Sequence, residues 1–407
     1  MIVLIDSGFP YASGEPFLRI ETPFLSTRQE KLLIYPIKKK GSARTSALPD
    51  NAEVRDLPTH FSAAARLRSF LQTLADPMFW SDIADVCRRH FSFKRIAAAF
   101  FYAEQVNLCL RLIERDIQAQ LPEGERVVLY SYWMHTHACI AAKLKKRINN
   151  SVFITRCHGY DVYEDRSSVG FLPGRKLIFS AADKILPVSE RGKDYLEATY
   201  PYLDRELVEV SYLGTCDSGR NPADDRCLRL VSCSNAVAVK RIDLLIRALS
   251  LLTDLSLEWV HYGAGALLDD LKKQAAEIIP SNIRVRFEGF VDNQRLMERY
   301  AQEPVSFFVN VSESEGLPVS VMEAMSFGIP AVATDVGGTG EIVKDGCNGF
   351  LVRKDVTPQQ LAAVLRTALT TDAAQQDRLR KNARQTWENK FDAEKNYAAF
   401  SRYIAQL

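Results

Sequence analysis

The feature that most constrains this chain is a recurring rhythm. Short apolar runs such as "MIVLID", "KLLIYPI", "RVVLYSY", "SVFITR" and "KILPVS" are separated by segments whose apolar residues return every three or four positions, among them "EPFLRIETPFLST" and "THACIAAKLKKRI". The first kind predicts strands, the second amphipathic helices. From about residue 206 the rhythm restarts with "VEVSYL", "LRLVSCS", "SLEWVHYG", "RVRFEGF", "VSFFVNV" and "AVATD", separated by helical stretches such as "RIDLLIRALSLL" and "LLDDLKKQAAEII". Hydrophobic strands alternating with helices predict parallel sheets covered on both faces. Two such series predict an α/β chain of two doubly wound, Rossmann-like domains facing a cleft.

The expected division is 1–205, 206–388 and a last amphipathic helix within 389–407, with the boundary around the Pro201 turn. A length of 407 residues exceeds one ordinary core and agrees with two domains. Residues 58–118 interrupt the rhythm with helical stretches rich in aromatic and basic side chains, "FSAAARLRSFLQTL" and "FKRIAAAFFYAEQVNLCLRLI". Two readings stay open for them: packing on the domain, or a basic amphipathic face turned to a membrane.

No run of about 18 apolar residues occurs, so no transmembrane helix is expected. The N-terminus lacks a basic leader and reads as a first strand. The eight cysteines are scattered with no C-x-x-C pair, which favours buried reduced thiols in a cytoplasmic protein over a zinc site. Residues 1–200 hold 28 Lys and Arg against 22 Asp and Glu, whereas 201–407 hold 24 against 28. The basic excess gathers in "IKKKGSAR" (37–44) and "CRRHFSFKR" (87–95). Either these are solvated surface, or they meet an anionic lipid surface at the membrane's inner face.

Chemistry concentrates at strand ends. In "VSFFVNVSESEGLPVSVMEAMSFGIP", Pro318 suits a helix start and Gly328 a stop. Glu315 then falls in a strand-to-helix turn, and Glu323 within the helix, one polar site among Val321, Met322 and Met325. Carboxylates accept paired hydrogen bonds and suit vicinal sugar hydroxyls; a cap and a solvated helix residue are the plain alternatives. In "SCSNAVAVKRIDLLIRAL", Lys240 and Arg241 stand at a helix start, where the dipole disfavours cations unless a polyphosphate binds. A solvated loop explains them equally well. His158 follows a strand in "RCHGYDVYED", with Asp161 placed to orient its ring, and is either a polar contact or a structural histidine. The loop "DSGFPYASGEPF" offers backbone to a phosphate. "GAGALL" (263–268) lacks the third glycine of a dinucleotide fingerprint and gives an oxidoreductase little support. His135 and His137, two apart, diverge on a helix and are not read as a metal pair.

Together these motifs resemble the retaining glycosyltransferases of family 4, which have the GT-B fold. Glu315 and Glu323 form the E-x7-E pattern, and the lysine loop, "FEGFV" and "HGYD" agree in order and spacing. "FPYASGEPFLRIE" and "YSYW" resemble members that build bacterial surface polysaccharides such as capsule or O-antigen. The resemblance implies a C-terminal helix that returns to the N-terminal, acceptor-binding domain. It implies that Glu323 holds the ribose of a UDP- or GDP-linked donor, Glu315 the donor sugar with the backbone of Gly316 and Leu317, and Lys240 the diphosphate. Phe290 and Val291 would lie beside the base, His158 would touch the sugar, and the loop at Gly14 would close over the phosphates. Tyr11, Glu15, Tyr132, Trp133 and Asp161 would face a lipid-linked or oligosaccharide acceptor. No cofactor and no metal are implied, since no D-x-D pattern is present, and no nucleic acid. One departure stands out: the family's Arg five positions before the lysine is Asn235 here, and Arg241, where the family often has Gly, is the candidate replacement. Asn235 also motivates an alternative, a catalytically poor homologue serving as a binding or scaffold subunit.

Overall fold

The structure is a computed structural model describing residues 1–11, 15–25, 30–39, 41, 44, 46–89, 91–122, 124–222 and 228–407. The chain divides into two compact units, Met1–Ser211 with Tyr397–Leu407, and Tyr212–Asn396.

The first unit holds β1 (Ile2–Asp6), β2 (Leu32–Pro36), β3 (Ala52–Val54), β4 (Val127–Ser131), β5 (Ser151–Cys157) and β6 (Lys184–Pro187). They form one six-stranded sheet in the order β3-β2-β1-β4-β5-β6, every neighbouring pair parallel. Successive side chains of a strand face opposite ways, and both faces of this sheet are buried. Val3, Ile5, Leu33 and Tyr35 enter a core with the helices Pro77–Arg89, Phe93–Gln120 and Thr136–Lys145. Ile2, Leu4, Leu32 and Ile34 enter the opposite core with Phe400 and Ile404. The helix Ala393–Gln406 thus crosses from the second unit into the first. Below Phe400 lies a fully buried ion pair: Arg156 is 3.4 Å from Glu21, and its guanidinium is 4.4 Å from the Phe400 ring. Tyr130 links the pair, donating to Glu21 at 2.7 Å and accepting from Arg156 Nε at 2.9 Å.

The region 58–118 contributes the helices Ala63–Leu74, Pro77–Arg89 and most of Phe93–Gln120. By length and composition the last could cross a membrane, but its buried side chains, among them Ala99, Val106, Leu110 and Ile113, belong to the core of the first unit.

The second unit repeats the plan with β7 (Arg229–Cys233), β8 (Leu257–Tyr262), β9 (Ile283–Gly289), β10 (Phe307–Asn310), β11 (Ala331–Thr334) and β12 (Gly349–Val352). The order is β12-β11-β10-β7-β8-β9, again wholly parallel. Both sheets therefore reverse direction once, between β1 and β4 and between β7 and β10. Such a reversal opens a crevice at the carboxyl ends of the strands, where doubly wound sheets bind ligands.

Candidate functional site

The loops after β7 and β10 meet at the reversal of the second sheet. Lys240 Nζ lies 2.6 Å from Glu315 Oε1, and Asn310 Nδ2 donates to the same oxygen at 3.2 Å. The loops are also tied through the backbone, where Glu313 N donates to Val239 O at 2.7 Å. A third loop, after β11, fixes the turn from the other side. Gly338 N donates to Gly316 O at 2.6 Å, and a Cβ at Gly337 would stand 1.8 Å from Glu315 O. The N–H groups of Gly316 and Leu317 donate to no group among the described residues.

Glu323 lies in the second turn of the helix Val319–Ser326. Val321, Met322, Ala324 and Met325 are buried around it, which holds this helix against the sheet. Asn293 Nδ2 donates to Glu323 Oε1 at 2.7 Å. Burial raises the Glu323 carboxyl to about 7, and the Asn293 hydrogen bond works against that rise.

Arg241 goes elsewhere. Its backbone is left-handed at φ +47°, and its guanidinium donates to Val311 O at 2.8 Å, Lys354 O at 2.6 Å and Ser312 O at 3.4 Å. The side chain ties its own loop to those after β10 and β12, so the guanidinium named from sequence as a candidate phosphate contact is engaged here by carbonyls. Asn235 is exposed at the head of the lysine loop. "GAGALL" packs against that head: a Cβ at Gly263 would meet Ser234 O at 1.8 Å, and Ala236 N donates to Ala264 O at 3.0 Å. Close backbone approach accounts for these glycines without a dinucleotide. Phe290, just past β9, is 81% exposed, and Val291 is half-buried.

The first unit's reversal gathers a second polar group. Glu15 accepts from Ser7 N at 3.0 Å, Gly8 N at 3.3 Å and Trp133 Nε1 at 2.8 Å. Asp6 is fully buried and accepts from Phe9 N at 2.6 Å; burial and the neighbouring Glu15 hold its carboxyl well above the usual range. Ser7 Oγ is 3.1 Å from His137 Nε2. His158 sits against Trp133 and Tyr132, with ring centroids at 4.5 and 4.8 Å, and its Nε2 is 3.1 Å from Tyr132 O. Burial and Arg156 lower the His158 imidazole to about 3. It is therefore neutral near pH 7, donating through Nε2 and leaving Nδ1 as an acceptor.

One expectation is corrected here. Asp161 does not orient the His158 ring; its carboxylate accepts from the backbone N–H groups of His158 and Met134, each at 2.6 Å. Arg175 closes the knot by donating to the carbonyls of Met134 and Asp161. Tyr132 is fully buried, and Tyr11 is buried with its hydroxyl donating to Asp56 at 2.6 Å. Tyr11, Tyr132 and Asp161 thus shape the strand-end loops, while Trp133 and His158 keep partial exposure. Gly14 lies outside the described residues. Among the described residues no three His, Cys, Asp or Glu side chains are grouped to hold a metal ion.

Asn310, Asn293 and the Ser7–His137 contact escaped the sequence reading. Asn310 had a signal, as the polar last residue of the apolar strand "FFVN". Asn293 follows the helix cap Asp292, and nothing local links it to Glu323 thirty residues on.

Residues 218–386 match the family model described as glycosyl transferases group 1. An uncharacterized glycosyltransferase of Methanocaldococcus jannaschii is 27% identical over 228 residues, 56% of this chain and 61% of that protein. A putative colanic acid biosynthesis glycosyltransferase, WcaL of Escherichia coli K12, is 25% identical over 66% of each chain. The O-antigen biosynthesis glycosyltransferase WbnH of Escherichia coli is 37% identical over 113 residues, 28% of this chain and 30% of that protein. The matched stretches thus cover less than two thirds of these relatives, from 30% to 66%. Among solved structures, the sucrose-phosphate synthase of Thermosynechococcus elongatus aligns over 100% of this chain and 98% of its own, with a TM-score of 0.72 and 17% identity. HepE of Anabaena, in complex with UDP and glucose, aligns over 100% and 99% with a TM-score of 0.68 and 17% identity. Likeness of this extent along the whole chain establishes the architecture: the chain has the GT-B fold, and its residues 218–386 match the group 1 glycosyl transferase model.

Proposed function

We propose that this protein transfers a sugar, with retention of anomeric configuration, from a UDP- or GDP-linked donor to a hydroxyl of a lipid-linked glycan in bacterial surface polysaccharide assembly. The observation that carries this reading is the Lys240–Glu315 contact at 2.6 Å beside Glu323, at the reversal of a parallel sheet. A lysine held on a carboxylate by its flexible end can turn to a diphosphate, and the freed carboxylate then meets sugar hydroxyls. Glu323 takes the ribose, Phe290 and Val291 the base, and the N–H groups of Gly316 and Leu317 the donor sugar. As the diphosphate leaves, Lys240 stabilises its growing charge, and the departing phosphate oxygen takes the acceptor's proton. Glu15 and Trp133 are assigned to the acceptor side, and His158 to the donor sugar. The relatives named for O-antigen and colanic acid synthesis support the polymer class, and a lipid-linked acceptor would be met at the inner face of the cytoplasmic membrane.

A thermal-shift panel of nucleoside diphosphates and nucleotide sugars tests the donor, since a ligand of the folded state raises its melting temperature. We expect a rise with UDP or GDP; no rise with any nucleotide overturns the proposal. Proton NMR of the product tests retention, and an inverted anomer overturns that part. A second reading, a catalytically poor binding or scaffold subunit, rests on Asn235 and on the Arg241 guanidinium being engaged by carbonyls. Steady turnover of one donor by the isolated protein removes it.

A further inference from the structure

The helices of residues 63–120 leave an apolar face outside the core. Leu67, Leu71 and Leu74 recur at i, i+4 and i+7 along Ala63–Leu74, and they are 62%, 58% and 42% exposed. Trp80 and Phe101 on the two following helices are 55% and 65% exposed. Ring contacts join the exposed Phe70, Trp80 and Phe101 through Phe100 and the buried Phe79: Phe100 meets Phe70, Phe79 and Phe101 at 5.3, 5.7 and 5.8 Å, and Phe79 meets Trp80 at 5.2 Å. Monomers rarely expose apolar side chains gathered in this way without a partner.

Charge says which partner. Between residues 58 and 95 the acids are Asp76, Asp82 and Asp85. All three are engaged within the first unit: Asp76 is buried on Lys143 and Asn107, Asp82 is buried on Gly174 N at 3.0 Å, and Asp85 takes Lys176 at 2.6 Å. Arg68, Arg88 and Lys94 remain exposed. On the stripe next to the leucines a cavity of about 370 Å³ opens, where Arg68, Arg111 and Arg115 stand over Ala65, Leu108 and Leu112. Arg111 lies 3.0 Å from the neutral Gln72 amide, and the one acid in the lining, Glu114, is taken by Arg147 at 2.6 Å. Arg68 and Arg115 have no acidic partner among the described residues. The cavity therefore joins three positive charges to an apolar floor, the chemistry of a phosphate with a hydrocarbon attached.

We propose that this helical layer docks the protein on an anionic phospholipid bilayer, its leucine and tryptophan face entering the headgroup–acyl boundary and its arginine cavity taking a lipid phosphate. This mode needs both an apolar face and cations beside it, and amphipathic helices that lie in the interface have that composition. It names a surface for the membrane association in the proposed function but does not depend on the transfer reaction.

The test is flotation of the full chain with phosphatidylcholine vesicles, with and without about 30% phosphatidylglycerol. We expect binding to the anionic vesicles and quenching of Trp80 fluorescence by brominated acyl chains, lost in Trp80→Phe. Leu67→Ser with Leu71→Ser and Trp80→Ser should lower partitioning roughly tenfold or more. Arg68→Gln with Arg111→Gln and Arg115→Gln should lower it roughly 100-fold, about fivefold per cation, on anionic vesicles alone. All these positions are at the surface, and the nucleotide thermal shift of each variant reports that the fold and the donor site persist. Equal binding by wild type and both variants overturns the proposal. So does a concentration-dependent dimer, abolished by the serine variant, in a protein that ignores vesicles. Loss of vesicle binding with an intact nucleotide shift separates this proposal from the donor site.

Discussion

The two sheet reversals hold their carboxylates in opposite ways. In the second unit side-chain tips do the holding, Lys240 and Asn310 on Glu315 and Asn293 on Glu323. In the first unit backbone N–H groups do most of it: Ser7 and Gly8 on Glu15 together with the Trp133 indole, Phe9 on Asp6, His158 and Met134 on Asp161. A carboxylate bound by backbone cannot change partners without moving a loop. One bound by a lysine or an amide can release it to a ligand by rotating a side chain. On the proposed function, the acids at the second reversal are held for exchange, whereas Asp6 and Asp161 at the first are held for shape.

The sharpest way to break this contrast is to remove one group from each side. Lys240→Ala should lower the transfer rate roughly 100-fold or more, as loss of one preorganised charge contact does. Unfolding should hardly change, because the Lys240 ion pair is partly exposed and such pairs contribute little. Asp161→Ala should do the reverse. It leaves two backbone N–H groups buried without an acceptor and lowers stability by about 2–4 kcal/mol, seen as an earlier urea midpoint. If Lys240→Ala unfolds the chain, or Asp161→Ala leaves the midpoint in place, the division is wrong.

Acidity gives the next test. Glu323 and Asp161 are both raised by burial to about 7. A carboxyl with a folded value above its unfolded one binds its proton more tightly in the folded state. Its stabilising contribution is present below the unfolded value, near 4, and fades as pH rises towards 7. If Glu323 holds the ribose as proposed, donor affinity should move the other way, since the ionised carboxylate is the form that accepts from two hydroxyls. Nucleotide binding should strengthen by up to roughly tenfold per pH unit below 7 and then level off. Calorimetry across this range on wild type and Glu323→Gln checks the sign, and the variant should show a flat profile.

How much of this was legible beforehand follows from the range of each signal. The strand–helix rhythm is local, so both doubly wound series were readable, as was the E-x7-E pair, whose members share one loop and one helix. The partners of those acids were not. Asn293 reaches Glu323 only because its helix follows β9, and Glu15 meets Trp133 only because β4 pairs with β1. Asp161 was misread for the same reason: "HGYD" suggests a local pair, while the carboxylate is claimed by Met134 N on another loop. Exposure is equally non-local. Within residues 58–118 the hydrophobic pattern gave helices but could not say that Leu67, Leu71 and Trp80 lie outside the core.

The smallest expected effect concerns Arg241. Its left-handed backbone costs about 1–2 kcal/mol in a residue with a Cβ, and a glycine there would cost nothing. Arg241→Gly removes that strain but also three hydrogen bonds to loop carbonyls, each worth about 1 kcal/mol net. The terms nearly cancel, so stability should shift by no more than about 1–2 kcal/mol. Nucleotide affinity should stay within about twofold if the guanidinium serves only as a clamp, whereas a phosphate-binding role would forfeit a charge-assisted contact and weaken affinity by roughly tenfold or more. Isothermal titration with UDP and GDP separates the two outcomes. The second would move Arg241 from the class of shape-holding groups into that of exchangeable ones, and would supply the cation that Asn235 lacks.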